Sequence, residues 1–175
     1  APLVDLACGY GHVLHTVTAG GGAGLGIDQN YHQVWVARHY VAPGAAFVCA
    51  DAARPLPLAD GVASAALCAD ALQHLHDKRL VVDELARVAG DGPLLFTSVG
   101  NLLVGEPDGE EMTPEGYGAL FDPQPWRVRS EADLLDAYLA GRGPDLRVSS
   151  DPEILDASRF LYYVVDPSEA MLREH

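Results

Sequence analysis

Short apolar runs alternate with helix-like amphipathic segments throughout residues 1–98, and this alternation restricts the chain to a small set of folds. Strands that alternate with helices indicate a parallel sheet that is covered by helices on both faces. The apolar runs that we assign to strands in this part are 3–7, 25–28, 46–50, 63–69 and 94–99. We therefore predict an α/β, doubly wound fold.

The segments between these runs carry the usual signals for the start and end of a helix. A first helix is expected at 11–17, and Asn30 is a favourable N-cap for a second helix that Pro43 ends. A third helix is predicted over 78–89, where apolar residues recur at spacings of three and four. The loop 51–61 contains two prolines, which disfavour a helix there.

Residues 99–122 differ from the rest of the chain because they contain six acidic and no basic side chains. We predict a loop here, and we divide a single domain into a cofactor-binding half (1–98), an acidic insertion or lid (99–128) and a C-terminal part (129–175). Because the first predicted strand begins almost at Ala1, we also expect that an N-terminal segment is missing.

The C-terminal part is predicted to contain one helix and two strands. The helix begins at Ser130, where Asp133 completes a capping box with Asp in place of Glu, and it ends at Gly141. The apolar runs 146–150 and 159–165 are joined by a connection that is short enough for an antiparallel pair. This C-terminal strand pair would complete a seven-stranded, mostly parallel sheet.

The charge and composition of the chain exclude several functions. The formal net charge is −14, with 25 acidic side chains against 11 basic ones, and no basic stripe could neutralise a run of phosphates, so we expect no nucleic-acid binding. No apolar run reaches the roughly 18 residues of a membrane span, so we expect no membrane insertion. The three cysteines share no CxxC spacing and lie in apolar runs, so we expect them to be buried and unpaired, as in a cytoplasmic protein.

Three predicted strand ends carry residues that suit a ligand site. Gly9 and Gly11 follow the first strand, where a backbone without Cβ atoms can approach a ligand closely. Asp28 ends the second strand and Asp51 follows the third, and a carboxylate in such a position can accept hydrogen bonds from ribose hydroxyls. The pyrophosphate fingerprint GxGxxG is incomplete, because residues 12–14 are His, Val and Leu.

Five segments of the chain, taken in order, resemble the class I, Rossmann-like S-adenosylmethionine-dependent methyltransferases, especially the small-molecule enzymes related to ubiquinone and menaquinone biosynthesis. These segments are VDLACGYG, GLGIDQN, CADAARPLPLADG, LCADALQHLHD and DELARVAGDGPLLFTSVG. Five segments in the right order are far more specific than any one of them. The resemblance implies a Rossmann-like methyltransferase fold, S-adenosylmethionine as cofactor and a small-molecule methyl acceptor.

The resemblance also implies which residues hold the cofactor. They are Asp5, Ala7, Gly9, Gly11, Asp28, Gln29, Asp51, Ala52, Ala69 and Asp70. By this resemblance Asp28 binds the ribose, and Asp51 with the backbone amide of Ala52 contacts the adenine edge. Asp5, Gly9 and Gly11 would shape the pocket for the methionine moiety, and Ala69 and Asp70 would lie along the methionine end. Ala7 stands where the family has its first glycine.

A general base is needed when the methyl acceptor is an acidic or protonated group. His74 is our first candidate because it follows the fourth predicted strand, and Tyr10 and His12 are further candidates. A packing or capping role is the alternative for His74. Trp126 and Tyr117 form either an aromatic wall for a substrate or a cover over the edge of the core.

We predict methyl transfer from S-adenosylmethionine to a small molecule by in-line displacement. One alternative is a non-catalytic, methyltransferase-like scaffold or regulatory domain that is fused to, or contacts, another domain. A second alternative is an NAD(P)-binding oxidoreductase, against which the missing third glycine and the closing antiparallel pair both argue. We predict no metal site, because His32 and His39 alone do not make one.

Overall fold

The computed structural model describes residues 1–172 as a seven-stranded sheet with helices on both faces. The strands are β1 (Leu3–Leu6), β2 (Gly24–Asp28), β3 (Ala46–Cys49), β4 (Ala65–Ala69), β5 (Leu94–Gly100), β6 (Trp126–Ser130) and β7 (Phe160–Val165). The helices are α1 (His12–Ala19), α2 (Tyr31–Val36), α3 (Lys78–Ala89), α4 (Pro114–Phe121), α5 (Glu131–Leu139) and α6 (Pro152–Ala157). A π-helical turn (Ala37–Val41) continues α2, and Leu72–His74 form a 3₁₀ turn.

The strand order is β3-β2-β1-β4-β5-β7-β6, and it confirms the predicted fold class. The first five strands pair in parallel, while β7 runs antiparallel to both of its neighbours, β5 and β6. The strand order reverses between β1 and β4, which is where open α/β sheets have their ligand crevice. Because parallel strands end at one edge of the sheet, the loops after β1, β2, β3 and β4 emerge together.

Aromatic side chains form the part of the core that joins β5 and β7 to α4. Phe96 and Phe121 stack with their ring centroids 5.0 Å apart, and Tyr163 lies 5.2 Å from Phe121. Tyr117 is fully buried and Trp126 packs against Phe121 and Tyr163. Of the two roles left open by the sequence for Tyr117 and Trp126, the structure supports the cover over the core.

The prediction of a loop throughout 99–122 is wrong, because α4 occupies its second half. Thr113 caps this helix through a hydrogen bond from the Gly116 amide to its side-chain oxygen, and Pro114 takes the first helical position. Tyr117 and Phe121 lie four residues apart and bury one face of the helix. The apolar contact of that face outweighs the acidic composition, and only residues 101–113 form a connecting loop.

The predicted strand at 146–150 is also wrong, and β6 takes its place beside β7. Both WRVRS and LRVSS have alternating patterns, so the sequence alone does not decide between them. The second segment lies against β6 through serine hydroxyls, since Ser149 Oγ accepts from the Val128 amide and Ser150 Oγ from the Ser130 amide. It therefore covers the free edge of β6 without forming a regular ladder.

Two predicted helix caps are confirmed. The Asn30 side chain accepts hydrogen bonds from the amides of His32 and Gln33 at the start of α2. The Ser130 hydroxyl accepts from the Asp133 amide at 3.0 Å at the start of α5. The reciprocal bond of the predicted capping box is not formed, because the Ser130 amide donates to Ser150 Oγ. These signals were readable because a cap and its partner lie within three residues.

The prediction that all three cysteines are buried holds for Cys68 but is wrong for Cys49. Cys68 lies in the central strand β4, whereas Cys49 ends β3, which has a neighbour on one side only. Cys8 is half-buried. A short apolar run at the sheet edge therefore leaves its last thiol exposed.

Candidate active site

The loops after β1, β2, β3 and β4 enclose a cleft of about 230 Å³ at the carboxyl edge of the sheet. It is lined by Leu6, Ala7, Ile27, Asp28, Gln29, Ala50, Asp51, Ala52, Ala53, His74, Leu75, His76, Asp77 and Val81. Six of these residues were predicted as site residues from the sequence. The cleft brings together the first three strand ends and the turn that carries His74.

Asp28 joins the first loop to the second through its carboxylate. Its Oδ2 accepts a hydrogen bond from the Gly9 amide at 2.9 Å, and its Oδ1 accepts one from the Asn30 amide at 2.8 Å. An ionised carboxylate offers about four acceptor positions, so two hydroxyl groups of a ligand can still bind to it. The carboxylate is thereby oriented by the backbone before any ligand arrives.

The two glycines of the first loop have different roles. Gly9 has a φ of +52°, and a Cβ built on it would meet nothing within 4 Å, so open space lies over this position. Gly11 has a φ of +76°, and its Cβ would approach the Phe47 ring at 3.1 Å and Ala37 Cβ at 3.2 Å. Gly11 thus permits α1 to begin close to β3, and it shapes the cleft through packing.

Asp5 lies beneath the first loop and is only 2% exposed. Burial and, to a smaller extent, the nearby Asp28 carboxylate together raise the pKa of its carboxyl to about 7. Asp5 does not line the cleft among the described residues, but its negative charge would be stabilised by a cation bound beside Asp28.

The third loop starts with a short turn that is closed by a hydrogen bond to the Asp51 side chain. Asp51 Oδ1 accepts from the Ala53 amide at 2.9 Å, and the Ala52 residue between them lines the cleft. Gln29 lines the cleft from the end of β2. A carboxylate next to an accessible backbone amide presents an acceptor and a donor side by side, which matches the amino group and ring nitrogen of an adenine edge.

His74 lines the cleft from the 3₁₀ turn after β4, whereas Tyr10 and His12 lie outside the cleft lining among residues 1–172. The loop 101–113 packs on this turn, because a Cβ on Gly109 would lie 2.9 Å from His74 Nδ1. Ala69 and Asp70 stand behind the turn, with Asp70 Oδ1 accepting from Gln73 Nε2 at 3.2 Å. His74 is therefore the one general-base candidate that the described cleft brings next to the Asp28 and Asp51 loops.

Two neighbouring glutamates, Glu110 and Glu111, hold the acidic loop 101–113 in place through contacts with His76, Lys78 and Arg159. Glu110 Oε1 lies 2.5 Å from His76 Nδ1, and its other oxygen lies 3.7 Å from Lys78 Nζ. The Arg159 guanidinium donates to both oxygens of Glu111, and these hydrogen bonds lower the pKa of the Glu111 carboxyl. These contacts hold the loop beside the turn that carries His74 and the start of α3.

Sequence analysis missed several residues that line the cleft, and these include Leu75, His76, Asp77 and Val81. We interpreted His76 and Asp77 as a solvated start of a helix. Asp77 does cap α3, since its side chain accepts from the Leu80 amide, but this end of the helix also forms one wall of the cleft. One sequence signal could have predicted this wall: α3 begins soon after the end of the fourth strand, where the ligand cleft of such a sheet lies.

The strand order, with a carboxylate at the end of β2 and another after β3, defines a Rossmann-like α/β protein with a candidate ligand cleft at the carboxyl edge of its sheet. The sequence profile of a family described as a methyltransferase domain matches residues 4–97 of the chain. The chain belongs to this methyltransferase domain family, and it is a class I S-adenosylmethionine-dependent methyltransferase with S-adenosylmethionine as its cofactor.

Solved structures share this fold at low sequence identity. An S-adenosylmethionine-dependent methyltransferase from Mesorhizobium loti is 20% identical with a TM-score of 0.71, over 94% of this chain and 90% of that one. A TehB-like methyltransferase from Corynebacterium glutamicum is 16% identical with a TM-score of 0.67, over 95% and 79%. Geranyl diphosphate C-methyltransferase from Streptomyces coelicolor, solved with Mg²⁺, geranyl diphosphate and S-adenosylhomocysteine, is 13% identical with a TM-score of 0.68, over 95% and 70%. No curated protein sequence matches the chain.

The residues present in the cleft fit S-adenosylmethionine. The free acceptor positions of Asp28 and the acceptor and donor at Asp51 and Ala52 lie in the cleft lining, and open space lies over Gly9 in the neighbouring first loop. When bound, S-adenosylmethionine supplies an electrophilic methyl group on a positively charged sulfur that is a good leaving group.

None of the helices within residues 1–172 combines the length and the apolar character that a bilayer crossing requires. In the same residues, no three His, Cys, Asp or Glu side chains lie close enough together to hold a metal ion.

Proposed function

We propose that this methyltransferase transfers a methyl group to a small-molecule acceptor by in-line displacement. The observation that carries this proposal is the Asp28 carboxylate, which is oriented by the Gly9 and Asn30 amides inside a cleft that also contains Asp51 and His74. A binding site built in advance at four strand ends can hold two reactants in line, and such placement supplies much of the rate in a displacement reaction.

In this proposal each loop holds one part of the cofactor. Asp28, with Gln29 beside it, binds the ribose hydroxyls, and Asp51 with the Ala52 amide binds the adenine edge. Gly9 leaves room for the methionine moiety, and the buried Asp5 lies beneath the first loop. The negative charge of Asp28 and Asp51 at the cleft favours a cationic ligand over a neutral one.

His74 is the residue that we propose as general base toward the acceptor. It is exposed to the cleft and is supported from behind by the loop 101–113. An imidazole has an ordinary pKa near neutrality, so it can take a proton from a hydroxyl, a thiol or an ammonium group as the new bond forms. A carbon or sulfur nucleophile without a proton to lose would not need it.

The cofactor assignment is tested by isothermal titration of the chain with S-adenosylhomocysteine. We expect binding to the wild type, and a loss of at least tenfold in affinity in Asp28→Ala, because a neutral methyl cannot accept hydrogen bonds from hydroxyls. Asp136→Ala, which changes an exposed acid of α5, is the matched control and should bind as the wild type does. A folded wild type that gives no heat would contradict the proposal.

The role of His74 is tested by release of S-adenosylhomocysteine in the presence of a panel of phenol, thiol and amine acceptors. His74→Gln should lower the turnover number by roughly 10² or more while S-adenosylhomocysteine binds within twofold of the wild type. Equal turnover in His74→Gln with every active acceptor that carries an acidic proton would remove His74 from the chemistry.

A further inference from the structure

We propose that Glu84 and Arg87 of α3 are positioning residues for the cofactor, because they hold the loop 51–61 whose first turn carries Asp51 and Ala52. The proposal builds on the function proposed above and adds two residues that lie outside the cleft lining. It concerns how the adenine side of the site keeps its shape when no ligand is bound.

Arg87 holds the second half of the loop 51–61 through hydrogen bonds. Its guanidinium group donates hydrogen bonds to the carbonyl oxygens of Leu56 at 3.1 Å and Leu58 at 2.8 Å. The same group donates to Asp60 Oδ1 at 2.6 Å. One side chain of the helix therefore contacts three positions spread over five residues of the loop.

Glu84 completes the clamp from the preceding turn of the helix. Its two oxygens accept from Arg87 at 2.9 and 2.8 Å, and its Oε2 also accepts from the Leu56 amide at 2.6 Å. The hydrogen bonds from Arg87 lower the pKa of the Glu84 carboxyl. Glu84 is only 14% exposed at its side chain, so little water competes for these bonds.

The loop needs such an external support because its own sequence limits what it can form. Pro55 and Pro57 have no amide hydrogen, so Leu56 carries the one donor in the Pro-Leu-Pro segment, and Glu84 accepts from that donor. Leu56 is 5% exposed and belongs to the main core cluster together with Val81. The clamp and the buried leucine thus fix the same point of the loop.

The helix that carries the clamp also forms the opposite wall of the cleft. Asp77 and Val81 line the cleft, and Glu84 follows them at helical spacings of seven and three residues. The helix and the bonds made from it therefore connect this wall of the cleft to the second half of the loop whose first turn carries Asp51. Loss of the clamp should loosen the adenine side while leaving Asp28 and Gly9 bonded to each other.

The test compares Arg87→Met and Arg87→Lys with Arg79→Met in the full 175-residue chain. Arg79 is a matched control, because it lies on the same helix and pairs with Asp83 at the i+4 position while its side chain is 53% exposed. Affinities for S-adenosylhomocysteine and for methylthioadenosine are measured by calorimetry at a temperature where circular dichroism shows every variant to be folded. Amide hydrogen exchange of the ligand-free chain reports on 51–61 directly.

We expect Arg87→Met to bind both ligands at least tenfold more weakly, because both contain the adenosine half, and Arg87→Lys to recover part of that loss. Arg79→Met should stay within twofold. Amides of 51–61 should exchange faster in Arg87→Met, with those of β1 and β4 unchanged. Should Arg87→Met not fold, Glu84→Gln, whose amide oxygen can still accept from Leu56, should show the same pattern with a smaller loss.

A lower melting temperature with unchanged affinity and unchanged exchange in 51–61 would overturn the proposal, since the clamp would then serve stability alone. That result leaves the cofactor assignment standing. A wild-type chain that binds neither ligand would instead overturn the proposed function and this inference with it.

Discussion

Ala7 has a backbone φ of +58°, a conformation that residues with a Cβ atom adopt at a cost. The residue lines the cleft directly after β1, so the strain is located where the chain turns toward the ligand. We predict that Ala7→Gly raises the free energy of unfolding by about 1 kcal/mol, because glycine adopts this conformation without the steric penalty. Urea unfolding followed by circular dichroism measures the change.

The control for this prediction is Ala137→Gly in the last turn of α5. There the same substitution should destabilise the protein by about 1 kcal/mol, since glycine is a poor helix former. A loss of stability in Ala7→Gly as large as that in Ala137→Gly would mean that the positive φ of Ala7 carries no strain.

Asp5 predicts a particular dependence of stability on pH. Its pKa in the folded protein is raised from 3.8 to about 7 by burial and by Asp28, so between these values the folded chain holds a proton that the unfolded chain has lost. The contribution of Asp5 to stability should therefore fall as pH rises from about 4 to 7, by at most roughly 1.4 kcal/mol per pH unit. Asp5→Asn, which cannot ionise, should show a flatter profile in urea unfolding over this range, and parallel profiles would contradict the buried, protonated carboxyl.

The docking of α4 against β6 depends on a close approach at Gly118. A Cβ on this glycine would lie 2.5 Å from the Trp126 ring, so Gly118→Ala should destabilise the protein by roughly 1–3 kcal/mol although alanine is the better helix former. Gly116→Ala meets only the flexible end of Met112 and the Thr113 oxygen at 3.3 Å, and it should change stability far less. Thermal unfolding of both variants decides the point, and equal stabilities would show that Trp126 does not pack on the helix as described.

Local sequence signals predicted β1 to β5 and α3, because alternation, caps and helical spacing involve residues close in the chain. The errors in the predicted secondary structure arose where contacts between distant parts of the chain decide the outcome. WRVRS and LRVSS are equally good strands, and only pairing with β7, some 30 residues away, selects the first. Likewise α4 was not predicted, because the acidic composition of residues 99–122 favoured a loop, although Tyr117 and Phe121 have the spacing of one buried helical face.

The candidate site was predicted in part for the same reason. Gly9, Asp28 and Asp51 are marked by their places at strand ends, and the structure brings all three to one edge of the sheet. The contact of Gly11 with Phe47 and the hold of Arg87 on the loop 51–61 join residues that are about 30 or more positions apart. Such contacts depend on how whole helices and strands pack together, so no local sequence pattern predicts them.

The molecule as a whole combines a strong negative charge with a cleft whose lining is itself acidic. The net charge is −14, and Asp28, Asp51 and Asp77 line the cleft while Asp5 lies beneath it. This field favours a cation over an anion at the same place and speeds its approach. It is therefore suited to a sulfonium ligand, and it opposes binding of polyanions.

We propose that the loops after β1, β2 and β3 form a single adenosyl site. The most direct measurement is a ¹⁵N NMR titration of the chain with S-adenosylhomocysteine, in which the amides of Gly9, Asn30 and Ala53 each report on one loop. We predict that all three shift with one common half-saturation concentration, because each amide donates to a carboxylate that lines the cleft. Shifts confined to one loop, or different half-saturation concentrations for the three amides, would contradict a shared site.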